Sequence, residues 1–174
     1  MTKLDKFYTA QFAVDMCVGI VKRNVPINKN KDFIIEPSAG GGAFIDSIKQ
    51  LTKRYKFYDI KPEHPEIEQK DFLKMNVNRN CFTHKIIVIG NCPFGSHFRL
   101  CIKFIKKCSE FADTIAFILP QNFKKKCNHK YFPREFHLIA EQDLPNNSFI
   151  EDAKIRDLRT VFQIWEKRDN LRPN

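Results

Sequence analysis

The tetrad Asn91-Cys92-Pro93-Phe94 brings an amide, a rigid backbone and a flat ring together at one turn of the chain. It directly follows an apolar, β-branched run at positions 85–90, a pattern typical of a buried strand that stops at a turn. An amide oxygen and a nearby main-chain carbonyl can accept both N–H bonds of a planar amine, while an aromatic ring stacks on the attached ring system. These residue types therefore predict a site that positions an exocyclic amino group for chemistry.

A second turn, at positions 36–44 (Glu-Pro-Ser-Ala-Gly-Gly-Gly-Ala-Phe), has the composition of a ligand-binding loop. A predicted strand precedes it and a predicted helix follows, so its glycines would let backbone approach a ligand at the carboxyl edge of a sheet. They do not match the dinucleotide-binding pattern G-x-G-x-x-G, because Ile45 stands where the third glycine belongs. On the glycines alone, a plain tight turn is the alternative.

Two acidic positions follow this turn. Asp59 closes the second predicted strand roughly twenty residues after the glycines, where open α/β sheets place a carboxylate for ribose hydroxyls. Asp71 could accept from an adenine amino group while the ring of Phe72 packs on the base. Taken singly, Asp59 also fits a turn and Asp71 a helix N-cap, but their order and spacing favour a ligand site.

Apolar strand-like runs alternate with helix-like runs, which predicts an α/β fold with a parallel sheet and crossover helices. The predicted strands lie at 33–37, 55–59, 67–69, 85–90, 114–120, 136–141 and 161–165, and the predicted helices at 8–22, 43–51 and 98–111. The polar stretch 142–160 is predicted to be a loop, and its length is typical of functional loops.

The net charge of +10 favours a polyanionic partner, such as nucleic acid or an anionic membrane surface. No stretch approaches the roughly 18 consecutive apolar residues that span a bilayer, and the N-terminus shows no signal-like apolar core. The six cysteines form no C-x-x-C pair and the histidines show no paired spacing, so we predict no metal site. Reduced thiols and a cytoplasmic location are expected.

In this order, the motifs resemble those of the class I methyltransferases that use S-adenosylmethionine. Within that class, the tetrad resembles the signature of the amino-methylating group, Asn/Asp-Pro-Pro-Tyr/Phe. Positions 5–9 resemble that family's N-terminal cofactor segment, and positions 119–123 are similar to its segment after the fifth strand. The resemblance covers nearly the whole chain. It implies a Rossmann-like fold: a mostly parallel seven-stranded sheet with an antiparallel terminal strand and helices on both faces.

The resemblance also implies the site residues. The catalytic residues would be Asn91, Cys92, Pro93 and Phe94. The cofactor-binding residues would be Tyr8, Thr9, Glu36, Pro37, Ser38, Ala39, Gly40, Gly42, Phe44, Asp59, Ile60, Asp71, Phe72 and Asn91. One domain, 1–174, would then comprise a cofactor-closing segment (1–32), a core (33–143), a loop (144–160), and a last strand with a tail (161–174).

The implied reaction is methyl transfer to an exocyclic amine, most readily adenine N6 in DNA or RNA. Two alternatives stay open: a protein glutamine amide, on which related enzymes use a similar tetrad, and an inactive cofactor-binding subunit of the same fold. Cys92 stands where proline is usual, at a position that contributes mainly a main-chain carbonyl. A cysteine nucleophile acting on cytosine is disfavoured, because proline precedes the cysteine in those enzymes, whereas Cys92 precedes Pro93.

Basic and aromatic residues near the same edge predict the acceptor side. The predicted substrate-binding residues are Phe94, His97, Lys124, Lys125 and Lys126, and positions 147–149 could form a lid. The lysines at 103, 106 and 107 are better explained as a solvated helix face. Because the chain shows no separate target-recognition domain, a protein partner or a homodimer is expected to supply recognition.

Overall fold

The computed structural model describes residues 8–151, 154–156 and 158–173. Its strands are β1 (Tyr8–Thr9), β2 (Phe33–Glu36), β3 (Arg54–Asp59), β4 (Glu68–Gln69), β5 (Ile86–Asn91), β6 (Thr114–Pro120), β7 (Phe136–Asp143), β8 (Phe149–Glu151), β9 (Lys154–Arg156) and β10 (Thr160–Lys167). Its α-helices are α1 (Gln11–Asn24), α2 (Ile45–Leu51) and α3 (Arg99–Ser109), and short 3₁₀ turns join several elements. Positions 5–7 of the predicted cofactor segment lie outside the described residues.

Seven strands form one sheet in the order β4-β3-β2-β5-β6-β10-β7. Strand β2 pairs in parallel with β3 and β5, and β5 pairs in parallel with β6. Strand β10 runs antiparallel to both of its neighbours, β6 and β7. The predicted fold class, a mostly parallel sheet with an antiparallel terminal strand, is therefore confirmed.

Helices cover both faces of this sheet. Successive residues of the central strands point to opposite faces, so each face presents apolar side chains for a helix to cover. Ile34 and Ile87 pack in the core cluster that contains α1 and α2. Their neighbours Ile35 and Val88 pack in the cluster that contains α3. Strand β6 is buried along its whole length, as expected for a parallel strand with helices on both sides.

The chain order reverses between β2 and β5. After β2 the chain continues to β3 and β4 on one side, and it then crosses to β5 and β6 on the other. Open α/β sheets bind ligands at such a reversal, in the crevice beyond the carboxyl ends of the strands. Glu36 ends β2 and Asn91 ends β5, so both predicted motifs begin at this crevice.

A small antiparallel sheet in the order β1-β8-β9 corrects two expectations. The helix predicted from position 8 begins at Gln11, because Tyr8 and Thr9 pair with Ile150 and Phe149 instead. The stretch predicted as a loop at 144–160 contains β8 and β9, while its positions 152, 153 and 157 lie outside the described residues. Phe149 is fully buried and anchors β8.

None of the helices found in the described ranges is long and apolar enough to cross a bilayer.

Candidate active site

The glycine turn after β2 is held by a carboxylate at the end of β3. Gly40 has φ +53° and Gly42 has φ +86°, a region that side chains other than glycine rarely adopt. The Asp59 Oδ2 atom accepts a hydrogen bond from the Gly40 amide at 2.8 Å, and Oδ1 accepts one from the Lys61 amide at 2.8 Å. Asp59 thus fixes the loop before any ligand binds.

Glu36 places a buried carboxylate at the base of the crevice. The side chain is 2% exposed, and its Oε2 atom has no hydrogen-bond partner among the described residues. Burial, and then the negative charge of Asp59, raise the pKa of Glu36 to about 8. A Cβ at Gly90 would lie 3.2 Å from Glu36 Cγ, so glycine at that position of β5 leaves room for the carboxylate. Such a group is suited to a ligand that brings hydroxyl donors or positive charge.

Strand β1 covers the glycine turn. A Cβ added at Gly41 would lie 3.1 Å from Cε1 of Tyr8, so the Tyr8 ring lies directly over that backbone. The Tyr8 hydroxyl donates to Glu63, in the turn after β3. Thr9 Oγ1 lies 3.4 Å from Asn91 Nδ2. The N-terminal segment therefore contacts both halves of the crevice.

The tetrad presents Asn91 towards this cover and Cys92 away from it. Asn91 Oδ1 is buried without a hydrogen-bond partner in the described ranges, and Ser38 Oγ donates to the Asn91 carbonyl at 2.9 Å. Cys92 is 1% exposed, and its Sγ lies 3.7 Å from the carbonyl oxygen of Cys101 in α3. Burial raises the pKa of the Cys92 thiol well above its ordinary value. A nucleophilic thiolate is therefore disfavoured at Cys92.

The loop after the tetrad has a strained backbone. Gly95, His97 and Phe98 have φ values of +64°, +52° and +60°, although two of the three carry side chains. A Cβ at Gly95 would lie 2.7 Å from Cβ of Leu100. The Phe94 ring is half-buried beside this loop, and His97 is exposed. Phe94 and His97 thus lie in the loop that directly follows the carboxyl end of β5.

Several predicted cofactor residues have side chains in the core rather than at the crevice: Pro37, Ala39, Phe44 and Phe72. Phe72 is 2% exposed, and its ring stacks on Phe104 with centroids 5.8 Å apart. The Phe72 ring is therefore part of the core, and neither of its faces is exposed for stacking on a base at the edge of the sheet. Asp71 forms an ion pair with Lys74 at 3.2 Å, and Ile60 is 53% exposed.

The predicted lysine cluster follows β6 in 3₁₀ turns. Lys124 Nζ contacts both carboxylate oxygens of Asp143 at 2.8 Å, so its charge is already paired. Lys125 and Lys126 are exposed. No group of three or more His, Cys, Asp or Glu able to hold a metal ion occurs in the part of the chain that the structure describes.

Sequence reasoning missed two residues that complete the crevice. Glu63 accepts from Tyr8, and a Cβ at Gly42 would lie 3.2 Å from the His64 ring. Both belong to the turn after β3. The carboxyl ends of parallel strands lie at one edge, so the position of this turn after β3 was the available signal.

These features fit S-adenosylmethionine. The orphaned Glu36 Oε2 atom, the positive-φ glycine turn and the carboxylate of Asp59 provide acceptors and close backbone at one switch point. A comparison with protein families shows which family the chain belongs to. A family model described as the EDM2 methyltransferase-like domain matches residues 29–170. The chain belongs to this methyltransferase-like family.

Solved structures of low identity show the same fold. A protein from Pyrococcus horikoshii assigned as an RNA methyltransferase superposes with a TM-score of 0.69 at 15% identity, covering 94% of this chain and 87% of that one. A Listeria monocytogenes protein assigned as a class I S-adenosylmethionine-dependent methyltransferase gives 0.65 at 14% identity, covering 95% and 62%. A type I restriction-modification methyltransferase subunit from Streptococcus thermophilus gives 0.66 at 14% identity, covering 97% and 46%.

The name of one curated relative refers to a reductase and not to a methyltransferase. The trans-2-enoyl-CoA reductase [NADH] of Clostridium acetobutylicum is 26% identical over 161 residues, covering 83% of this chain. The chain spans 39% of that relative's length.

The family and the fold confirm the predicted cofactor, S-adenosylmethionine, and the methyltransferase class.

Proposed function

We propose that the chain transfers a methyl group from S-adenosylmethionine to an exocyclic amine, namely adenine N6 in DNA or RNA. One observation carries this proposal: the end of β5 presents the Asn91 Oδ1 atom as a buried acceptor without a partner among the described residues. An acceptor left in that state costs about 1–3 kcal/mol. A substrate that donates an N–H to it recovers that cost.

The residues of the tetrad and its loop have distinct roles in this proposal. Asn91 accepts one N–H of the target amine, and a main-chain carbonyl at Cys92 or Pro93 accepts the other. Phe94 stacks on the base, and its half-buried position gives the ring one supported face. Because the exocyclic amine is a weak nucleophile, the gain comes from positioning and fixed polar groups, not from a strong general base. As the C–N bond forms, the C–S bond of the methyl donor breaks and the demethylated cofactor leaves. The methylated nitrogen, now acidic, then loses one proton to water.

The cofactor side is formed by Glu36, Asp59 and the glycine turn, with Tyr8 and Thr9 as its cover. When bound, S-adenosylmethionine supplies an electrophilic methyl on a positively charged sulfur. Asp59 is suited to ribose hydroxyls, since each oxygen retains lone pairs beyond its one bond to a backbone amide. Glu36, once ionised, offsets positive charge in a buried site.

Two observations support a nucleic acid as the acceptor. The net charge of +10 favours a polyanion. The structural neighbours include proteins whose names refer to an RNA methyltransferase and to a restriction-modification methyltransferase subunit. A base in a duplex has to be flipped out to reach the tetrad, whereas a single strand offers it directly. The six free cysteines fit a reducing, cytoplasmic setting.

The test is transfer of labelled methyl from S-adenosylmethionine onto separate DNA, RNA and protein pools, followed by nucleoside and amino-acid analysis. We expect label in N6-methyladenine. Asn91→Ala should reduce transfer by about 100-fold or more, while Asn30→Ala, at an exposed turn before β2, should not. Full transfer by the Asn91 variant would refute the mechanism.

Two results would identify the alternatives. Label on a glutamine side chain would make the acceptor a protein amide. Binding of the cofactor by calorimetry without transfer to any pool would indicate a partner subunit of methyltransferase fold.

A further inference from the structure

A second polar cleft lies beside the proposed active site, at the same edge of the sheet. It has a volume of about 270 Å³. Its lining residues come from the carboxyl ends of β6 and β7 and from the start of β10: Gln121, Asp143, Leu144, Asn146, Arg159 and Thr160. Two backbone hydrogen bonds border the cleft. The Gln121 amide donates to the Arg159 carbonyl and the Leu144 amide donates to the Thr160 carbonyl, each at 3.1 Å.

The cleft contains polar groups that the described part of the chain leaves without partners. Thr160 is 2% exposed, and its Oγ1 atom has no hydrogen-bond partner there. Arg159 is exposed, and no side-chain hydrogen bond or ion pair is found for it among the described residues. A buried hydroxyl with no partner is costly unless something enters the cleft and bonds to it.

The charge of the cleft suits an anion. Asp143 is its one acidic lining residue, and both oxygens of that carboxylate are held by Lys124 Nζ at 2.8 Å. Among the described residues that line the cleft, this leaves the Arg159 guanidinium as a charge without an ion-pair partner. A guanidinium is well matched to a phosphate, which it can bind through two parallel N–H bonds.

Strand register gives the separation of the cleft from the tetrad. Asn91 is opposite Ile118 on β6, and Thr160 is opposite Pro120, two residues further along β6. With standard strand spacings, the Cα atoms of Asn91 and Thr160 are about 12 Å apart. A chain that places one base at Asn91 therefore passes the cleft with an adjoining nucleotide.

We propose that this cleft is a subsite for the nucleotide adjoining the target base, with Arg159 on its phosphate and Thr160, Gln121 and Asn146 on its polar edges. This inference rests on the proposed function, since it takes the acceptor to be a nucleic acid. Amide and hydroxyl groups reading an unpaired base, together with a guanidinium on the backbone, are typical of single-strand recognition.

The experiment measures anisotropy of a labelled single-stranded six-nucleotide RNA and its DNA counterpart, across a salt series. Arg159→Ala should weaken binding about tenfold and reduce the slope of log K against log salt by about one. Thr160→Val keeps the shape of the side chain and should weaken binding a few-fold without changing the salt slope. Arg168→Ala, which removes the same charge beyond the opposite end of β10, is the matched control.

The outcomes separate the subsite from the proposed function. Equal effects of the Arg159 and Arg168 variants on affinity and slope would overturn the subsite, even if methyl transfer to nucleic acid occurs. Binding that depends on Arg159 without any methyl transfer would support the subsite and refute the proposed function. Absence of binding to both single strands by the wild-type chain would overturn the subsite, and methyl transfer to duplex DNA would then still support the proposed function.

Discussion

Replacing Glu36 with glutamine should flatten the pH dependence of folding stability between about pH 4.5 and about pH 8. Glu36 is 2% exposed, and its Oε2 atom has no partner among the described residues. Burial, with the charge of Asp59, therefore favours the protonated acid and raises its pKa from 4.5 to about 8. The unfolded chain ionises this group near pH 4.5, so it releases a proton that the folded chain retains.

The sign and size follow from this difference. A raised folded-state pKa contributes stability that is complete below the unfolded value and is lost as the pH rises through the folded value. Each unit of pKa difference corresponds to about 1.4 kcal/mol, so the loss across the window is on the order of 4–5 kcal/mol for the wild type. Glu36→Gln has no ionisable group there and should lack this component of the pH dependence.

The assay is urea unfolding of the wild type and the variant, without cofactor, at a series of pH values. The difference between the two free energies of unfolding should change in one direction through the window and become constant above about pH 8. Glu110→Gln removes an exposed carboxylate at the end of α3 and serves as the control. A difference for Glu36→Gln that is as flat as the control's would refute the buried, protonated carboxylate.

Three further changes test other parts of the site. Gly42→Ala forces a side chain into φ +86° with its Cβ 2.7 Å from Ile45 Cδ1, so it should lower the free energy of unfolding by about 1–2 kcal/mol or more, measured by urea unfolding. Cys92→Ala should retain methyl transfer within about tenfold, because the thiol packs against α3. Loss of all activity would contradict the expectation that this position contributes mainly a main-chain carbonyl. Phe149→Ala removes the buried anchor of β8, with a cost of about 3–5 kcal/mol. It should therefore increase hydrogen exchange at the Ala10 amide, which donates to the Ser148 carbonyl beside β8, more than in β6. Unchanged exchange at Ala10 would contradict the coupling of β1 to β8.

The centre of the sheet could be predicted from sequence because β2, β5 and β6 bury apolar residues on both faces. The runs that became β5 and β6 consist largely of isoleucine, valine and other apolar residues. Strand β6 ends at Pro120 as predicted, and β5 ends at Asn91, one residue beyond its predicted end. Once those strands are parallel, their carboxyl ends must share one edge. That the glycine turn and the tetrad lie at the same edge could therefore be predicted, whereas their adjacency depends on the pairing of β2 with β5.

Side-chain direction could not be predicted in the same way. Phe72 directly follows Asp71, the predicted adenine contact. Its ring nevertheless points into the core, because it packs there against Phe104 and Phe111. Lys124 lies beside the crevice, yet it is paired with Asp143, which is distant in sequence and close in the fold. Local spacing contains neither fact, because both depend on which elements become neighbours.

Strands β1 and β8 were missed for a related reason. The pairing of Tyr8 with Ile150 joins two short segments from opposite ends of the chain, and neither is long enough to show an alternating pattern. The Ala10 amide extends this pairing by donating to the Ser148 carbonyl at 2.8 Å. The predicted N-terminal cover and the predicted lid at 147–149 therefore form one structural unit.

This unit connects the stability of the cover to the chemistry beneath it. Two buried acceptors lie at the carboxyl ends of β2 and β5, Glu36 Oε2 and Asn91 Oδ1, and neither has a partner in the described ranges. Each costs about 1–3 kcal/mol while it stays unsatisfied. Opening the cover would let water donate hydrogen bonds to both acceptors. The free energy gained there would offset part of the packing energy lost at Phe149. A ligand that bonds to either acceptor removes this compensation and favours the closed arrangement. We therefore expect an occupied site to favour closure of β1 and β8, an arrangement that would exclude water during transfer.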